Sequence, residues 1–223
     1  NNNTMRTKAL FLAATLAVAA VIPAAAQVYS VNTVGYVNVT LNDGYNLIAN
    51  PLATTDNRIR DLFPPVDGLT VFKWAVPGGY QAANYAAIIA DWDAGGDLTL
   101  DPGECAFVQV PAGAGPITVT FVCEVMETQN GQILSSPLPA GLSIRSSQVP
   151  QAGAISTVLG FPAADGDTVF TYDSVDGYQS FNYASIIGGW APPGGEPSIE
   201  VGEAIFVNKA ADTTWDRDFN VSP

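Results

Sequence analysis

The chain contains no histidine, only two cysteines, and 8 basic residues against 21 acidic ones. Without histidine, Ser-His-Asp and Cys-His catalysis, most zinc sites and imidazole acid-base chemistry at neutral pH are excluded. The scarcity of lysine and arginine gives a formal net charge of −13, so nucleic acids and anionic membrane surfaces are poor partners. These absences favour a protein without catalytic chemistry of its own.

The amino-terminal segment has the pattern of a secretory signal peptide. Residues 1–4 precede the first methionine and are interpreted as an upstream remnant, which leaves residues 5–26 as the leader. Arg6 and Lys8 form its basic region, and an apolar run ends in small residues before a predicted cleavage after Ala26. That run is shorter than the ~20 residues of a spanning helix. We therefore expect a secreted mature chain with no membrane span and a net charge lowered from −13 to −15, located in the extracellular space, at the cell surface or in the periplasm.

Glycine and proline are abundant, at 21 and 16 residues. They separate short runs that are rich in aromatic and β-branched side chains, which is the pattern of strands between turns. No amphipathic helix is visible after the leader. The composition predicts an all-β protein.

The second half of the chain repeats the first. Residues 68–92 match residues 166–190 without a gap at an offset of 98, and the match resumes in the motifs GECAFV and GEAIFV. We predict two tandem β-sandwich-like domains, a first repeat over residues 27–126 and a second over residues 127–223. The first and last strands either close against each other or remain open edges available to neighbouring molecules.

Several segments carry a resemblance to known proteins: VNTVGYVNVTL, NLIANPL, VPQAGAISTVLGFPAADGDTVF and VGEAIFVNKAADTTW. They resemble a family of uncharacterised secreted bacterial proteins with paired copies of this repeat, and the likeness covers nearly the whole mature chain. The resemblance implies export and a tandem β architecture. It brings no established activity, cofactor or catalytic residue. Where that family has GEGFF-like closing strands, this chain has GECAFV and GEAIFV.

The two cysteines flank a predicted hairpin, in which Phe107 faces Phe121 and Cys105 faces Cys123. In an exported protein such a pair can form a disulfide, worth about 2–4 kcal/mol of stability. No base or cation is visible beside either thiol to make it reactive. We expect a structural disulfide, with buried free thiols as the alternative.

Carboxylates are densest where four aspartates surround two glycines: Asp91, Asp93, Asp97 and Asp101. Such oxygens can bind calcium, but Gly95 and Pro102 occupy the fifth and twelfth positions, where an EF-hand needs ligands. A solvated turn is therefore favoured over a calcium site, and no other cofactor is predicted. Glu104 and Glu203 stand in matching Gly-Glu motifs, where a role in the turn is simpler than a glycosidase carboxylate pair.

Aromatic residues recur at matched positions of the two repeats, and packing in a core explains most of them. Two of them flank the predicted hairpin turn in each repeat, where rings can stay exposed: Trp74 and Tyr80 in the first repeat, and Tyr172 and Tyr178 in the second. Rings beside amides such as Gln81 and Asn84 suit stacking on sugars. We regard these four aromatics as candidate ligand-binding residues.

Together these features favour a secreted, non-enzymatic protein with a structural, adhesive or assembly role. Its expected partners are further copies of itself or other envelope proteins, bound through sheet edges. The alternative is a carbohydrate-binding protein with a polysaccharide partner, for which exposed coplanar aromatics on one face would be the sign. An enzyme would instead need a cleft with convergent acids.

Overall fold

A computed structural model describes residues 33–75, 79–129, 131–191 and 195–221. The predicted upstream remnant and signal peptide lie outside these ranges. The described residues belong to one compact unit. Within the described ranges, no helix has the length and hydropathy needed to cross a bilayer.

The first repeat contains one short helix and mostly strands: β1 (Val34–Leu41), β2 (Gly44–Ala49), α1 (Ile59–Leu62), β3 (Thr70–Ala75), β4 (Gly79–Ala86), β5 (Asp91–Trp92), a 3₁₀ turn (Ala94–Asp97), β6 (Cys105–Val110) and β7 (Ile117–Glu124). The second repeat contains β8 (Leu134–Leu138), β9 (Gly141–Arg145), β10 (Gly153–Ala154), β11 (Thr168–Asp173), β12 (Gly177–Ala184), a 3₁₀ turn (Ser185–Ile187), β13 (Gly189–Ala191), β14 (Ser198–Ile199), β15 (Ile205–Lys209) and β16 (Thr213–Arg217). The predicted all-β class is confirmed.

Both repeats arrange their strands in the same order. A five-stranded sheet has the order β2-β6-β3-β4-β5 in the first repeat and β9-β15-β11-β12-β13 in the second. Two-stranded antiparallel sheets join β1 with β7, β8 with β16, and β10 with β14. β2 thus corresponds to β9, and Leu47 to Ile144, because these residues face the matching Phe107 and Phe206.

Each five-stranded sheet shares a core with the two-stranded sheet of its own repeat. Side chains alternate across a strand, so one face of each sheet supplies this core. In the first repeat Val108 of β6 lies in one apolar cluster with Phe121 of β7. In the second repeat Val207 of β15 and Trp215 of β16 do the same. Burying a side chain of this size stabilises a fold by about 1.5–3 kcal/mol.

The predicted hairpin between the cysteine-bearing strands is wrong, because β6 and β7 belong to different sheets. β6 lies between β2 and β3, so that Phe107 faces Leu47 instead of Phe121. The reason is burial. β6 (CAFVQV) is apolar and buried on both faces, as a central strand is, whereas β7 (ITVTFVCE) alternates between buried and exposed positions.

The predicted disulfide is wrong as well. Cys105 lies opposite Ala49, and Cys123 lies opposite Gly35 on β1. Both are free thiols, of which Cys105 is buried and Cys123 half-buried. Burial raises the pKa of both thiols, so neither forms a thiolate readily at neutral pH.

Candidate functional site

The second face of each five-stranded sheet is also apolar, and the two repeats pack together through these faces. Phe107 of β6 and Phe206 of β15, which stand at matching positions, have ring centroids 5.8 Å apart. A third core cluster surrounds them: Leu47, Ala49, Cys105, Phe107, Ile144, Ala204 and Phe206. This inter-repeat interface explains why β6 is buried on both faces.

Two reciprocal backbone hydrogen bonds cross the inter-repeat interface. The Ala49 amide donates to the Gly202 carbonyl at 2.8 Å, and the Ser146 amide donates to the Gly103 carbonyl at 3.1 Å. Ala49 corresponds to Ser146, and Gly103 corresponds to Gly202, in the paired strands. Reciprocal contacts of this kind are those of an isologous interface, so an approximate twofold axis relates the repeats.

Both glycines at these hydrogen bonds are required by backbone conformation and by space. Gly103 has φ +82 and Gly202 has φ +87, in the left-handed region that favours glycine. A Cβ atom on Gly103 would lie 2.9 Å from Cγ of Gln148, and one on Gly202 would lie 2.6 Å from Cγ2 of Val39. The recurring glycine of GECAFV and GEAIFV is therefore a feature of the contact between repeats.

The glutamates that follow these glycines close a turn in each repeat. Oε2 of Glu104 accepts the Asp101 amide at 2.9 Å, and Oε2 of Glu203 accepts the Glu200 amide at 2.8 Å. Lys73 adds a 2.8 Å ion pair to Glu104. This arrangement supports the structural interpretation of the Gly-Glu motifs.

An open cavity of about 400 Å³ lies between the two repeats, and aromatic side chains line it. We call it the aromatic cleft, with the lining Tyr45, Phe72, Tyr80, Phe107, Tyr172 and Tyr178. Phe107 and Tyr172, from different repeats, meet edge to face at 5.2 Å and 87°. Tyr172 and Tyr178 lie 4.9 Å apart. The cleft thus depends on packing between the repeats.

Three of the four predicted ligand-binding residues line the aromatic cleft, namely Tyr80, Tyr172 and Tyr178. Trp74 packs against Tyr80 at 5.0 Å and 77°, and its indole N–H is buried without a hydrogen-bond partner among the described residues. The structure therefore gathers four residues that the sequence places in two separate hairpins.

The amides expected beside these rings do not belong to the cleft. Gln81 follows Tyr80 directly on β4, so its side chain lies on the opposite face of the sheet. Asn84 donates to Oδ2 of Asp93 at 2.7 Å and accepts from the Thr70 hydroxyl at 2.9 Å. Phenol groups are thus the polar groups of the lining.

Sequence patterns did not mark Tyr45, Phe72 or Phe107 as lining residues, and the predicted hairpin paired Phe107 with Phe121. Tyr45 lies on β2 opposite Gln109 of β6, and this pairing was not foreseen. Its counterpart in the second repeat is Leu142, so matching the repeats could not mark it as aromatic. The continuous apolar run of β6 is the signal that could have indicated a second buried face.

The lining of the aromatic cleft is uncharged. Burial raises the pKa of Tyr80, and the neighbouring Tyr178 phenol raises it further. Burial likewise raises the pKa of Tyr178, with a smaller contribution from Tyr172. The Tyr80 and Tyr178 phenols therefore stay neutral at physiological pH, and the lining supplies ring faces, ring edges and hydroxyl groups.

Each of the four aspartates of the acidic segment contacts a protein group, and two of them share Arg60. Arg60 pairs with Asp91 at 3.3 Å and with Asp97 at 2.9 Å. Asp93 caps the first 3₁₀ turn, and Asp101 accepts from the Asn57 amide at 3.0 Å. Among the described residues, no group of three or more acidic, cysteine or histidine side chains is arranged to hold a metal ion. The calcium site stays a prediction.

Comparison with protein-family models, with curated proteins and with solved structures finds no match to this chain. The resemblance to secreted bacterial repeat proteins therefore stays a prediction.

Proposed function

We propose that this chain is a secreted, non-enzymatic assembly protein, whose copies join through their outer two-stranded sheets. The observation that carries the proposal is that the terminal strands do not pair with each other. β1 pairs with β7, and β16 pairs with β8. Among the described residues, β1 has a strand on one edge only, and β7 has β1 plus a single bridge to Ala53.

The outer sheet formed by β1 and β7 has the features of an adhesive surface. Proteins protect open strand edges with lysine, proline or very short strands. Both strands are eight residues long, and VGYVNVTL and ITVTFVCE contain no lysine, arginine or proline. Val34, Tyr36 and Val122 on this sheet are 68%, 67% and 54% exposed. The part of this edge that lies away from the contact between Val39 and Gly202 is a template for strand addition.

Charge and cleft chemistry support a non-enzymatic role. The net charge of −13 disfavours polyanionic partners, and the aromatic cleft contains no acid, base or nucleophile in its lining. Localisation outside the cytoplasm rests on the predicted leader. Polymers or a surface layer are the assemblies that open edges produce.

Light scattering and negative-stain microscopy of residues 27–223 over a concentration series test the assembly proposal. We expect size to grow with concentration, and Tyr36→Lys and Val122→Lys to raise the midpoint of association at least about tenfold, because a charge at the sheet opposes pairing. Ile133→Lys is the matched control, since Ile133 is 55% exposed and lies outside the outer sheet. A wild-type protein that stays monomeric throughout would refute the proposal.

Carbohydrate binding is the second candidate, and the exposure of the cleft tyrosines favours it. Tyr45, Tyr80 and Tyr178 are 47%, 44% and 56% exposed, so their rings and hydroxyls are accessible. Their neighbours meet them mostly edge to face, however, and do not form the flat platform expected for a sugar. Affinity electrophoresis in gels containing neutral polysaccharides tests this. Retardation that Tyr178→Ala abolishes and Tyr36→Lys leaves unchanged would support it.

A further inference from the structure

Each repeat presents two adjacent isoleucines at the tip of a turn. We call residues 87–90 and 185–188 the isoleucine turns. Ile88 and Ile186 are 95% and 94% exposed, and Ile89 and Ile187 are 62% and 61% exposed. Tight turns ordinarily use small or polar residues. A single exposed apolar residue needs no explanation, but here the same exposed pair occurs in both repeats at nearly the same exposure.

The isoleucine turns are held in one conformation by matching hydrogen bonds. The Ala87 amide donates to Oδ1 of Asp67 at 2.7 Å, and the Ser185 amide donates to Oδ1 of Asp165. Asp67 and Asp165 stand at equivalent positions of the repeats. An apolar projection that is already ordered loses little conformational entropy when it binds. The turns are therefore suited to insertion into a cavity.

The aromatic cleft has the size and chemistry to receive an isoleucine turn. An engineered apolar cavity of about 150 Å³ accommodates benzene, so the cleft of about 400 Å³ has room for two isoleucine side chains. Its lining is entirely aromatic and neutral, which avoids repulsion with the carboxylates of Asp67 and Asp165. The isoleucines are too exposed to occupy the cleft of their own chain.

Charge argues for a second copy of the chain rather than a lipid surface. Loops and helices that bind membranes combine apolar residues with lysine or arginine. The segments around the turns, ANYAAIIAD and FNYASIIGG, contain no basic residue, and the chain as a whole is acidic. A second copy offers an uncharged apolar cavity instead.

We propose that an isoleucine turn of one copy inserts into the aromatic cleft of the next copy. This inference rests on the proposed assembly function and names a contact different from the outer sheet. Because turn and cleft are different surfaces, the contact is heterologous and joins copies head to tail. Since the partners are apolar while both copies are acidic, added salt is expected to strengthen the association.

Asparagine variants of the turns provide the first test. Asn fits a turn and removes the apolar side chain. We expect I88N/I89N and I186N/I187N each to raise the association midpoint, and the four-site variant to raise it at least about tenfold, as for the loss of a buried aliphatic side chain. Ile133→Asn is the matched control and is expected to change nothing. Thermal melting verifies that each variant is folded.

Cross-linking between copies provides the second test. Two proteins are prepared with Cys123→Ser, one carrying Ile88→Cys and the other Tyr45→Cys, and are mixed under mild oxidation. We expect a mixed disulfide dimer of the two different variants from this mixture. We expect no mixed dimer when Ile133→Cys replaces Ile88→Cys. The dimer yield is expected to fall when excess wild-type protein competes for the cleft.

The outcomes separate this inference from the proposed function. A wild-type protein that never associates overturns both. Association that the turn variants leave unchanged, with no Ile88–Tyr45 cross-link, overturns the insertion and leaves assembly through the outer sheet intact. If the turn variants instead lose binding to phosphatidylcholine vesicles while Tyr45→Asn assembles as wild type does, the turns bind lipid and the insertion is wrong.

Discussion

The two repeats fill one equivalent pair of buried positions in different ways. In the first repeat these positions hold the apolar side chains of Leu69 and Val110, which are 0% and 1% exposed. In the second repeat Asp167 and Lys209 stand at the same positions and form a buried ion pair. One fold thus tolerates either chemistry, provided that both members of the pair match.

The ion pair of the second repeat is fully supported by neighbours. Asp167 accepts the amides of Ala164 at 2.8 Å and Ala210 at 3.0 Å. Lys209 donates to the Pro162 carbonyl at 2.7 Å, and its ammonium lies 5.1 Å from the centroid of the Phe161 ring. Such support offsets part of the cost of removing two charges from water. An apolar pair needs none of it.

The largest expected effect comes from breaking that pair. Lys209→Val leaves the Asp167 carboxylate buried without its cation, and we expect a loss of about 3–5 kcal/mol in the free energy of unfolding. Adding Asp167→Leu recreates the pair of the first repeat and is expected to restore stability to at least the wild-type level. Urea denaturation measures both. A double variant as unstable as Lys209→Val would show that the repeats are not interchangeable here.

The glycines of the inter-repeat interface come next. Gly202→Ala combines left-handed strain with a clash against Val39, and we expect a loss of about 2–4 kcal/mol. Gly103→Ala meets the flexible Gln148 side chain and is expected to cost less. Gly44→Ala is the matched control, because Gly44 has φ +89 but nothing within 4 Å of an added Cβ. Equal losses at Gly202 and Gly44 would argue against a tight contact.

Cys105 and Ala204 stand at equivalent positions of the inter-repeat interface, so exchanging one for the other sharpens the comparison. We expect Cys105→Ala to lower the free energy of unfolding by about 1 kcal/mol, because one buried atom is lost.

Because burial raises the pKa of both thiols, maleimide labelling is expected to be slow at neutral pH and to accelerate as pH rises, at Cys123 before Cys105. Rapid labelling of Cys105 in the folded protein would contradict its burial.

The smallest effect concerns Asp93, which the second repeat replaces with Ala191. Asp93 accepts the Gly95 amide at 2.8 Å, and we expect Asp93→Ala to cost about 0.5 kcal/mol as a lost cap. Burial raises the pKa of this carboxyl, but hydrogen bonds from Asn84 and Gly95 outweigh it and hold the pKa below 3.8. Its contribution is therefore present above that value and disappears as pH falls through the lowered pKa. Urea titrations of wild type and variant at neutral pH and at about pH 2 measure the change.

Sequence patterns predicted the all-β class, the repeat and the position of Tyr80 and Tyr178, because these depend on local turns and on internal matching. The strand partners of β6 were not predictable in the same way. The apolar run of β6 is compatible with any central strand of a sheet. Contacts between residues far apart in sequence determine that β6 pairs with β2 rather than with β7. The cleft depends on that pairing, since it brings Tyr45 beside Phe107. The sequence shows the two pairs of adjacent isoleucines, but it does not show that their side chains are exposed.

The approximate twofold contact between the repeats has a consequence for dilute solutions. Two separate chains joined by Ala49–Gly202 and Ser146–Gly103 hydrogen bonds would fall apart as protein concentration drops. In this chain the two repeats are covalently linked, so each repeat meets the other at a fixed effective concentration. For a short flexible tether this is typically in the millimolar range. The aromatic cleft, which residues of both repeats line, is therefore already formed in a single monomer at any protein concentration.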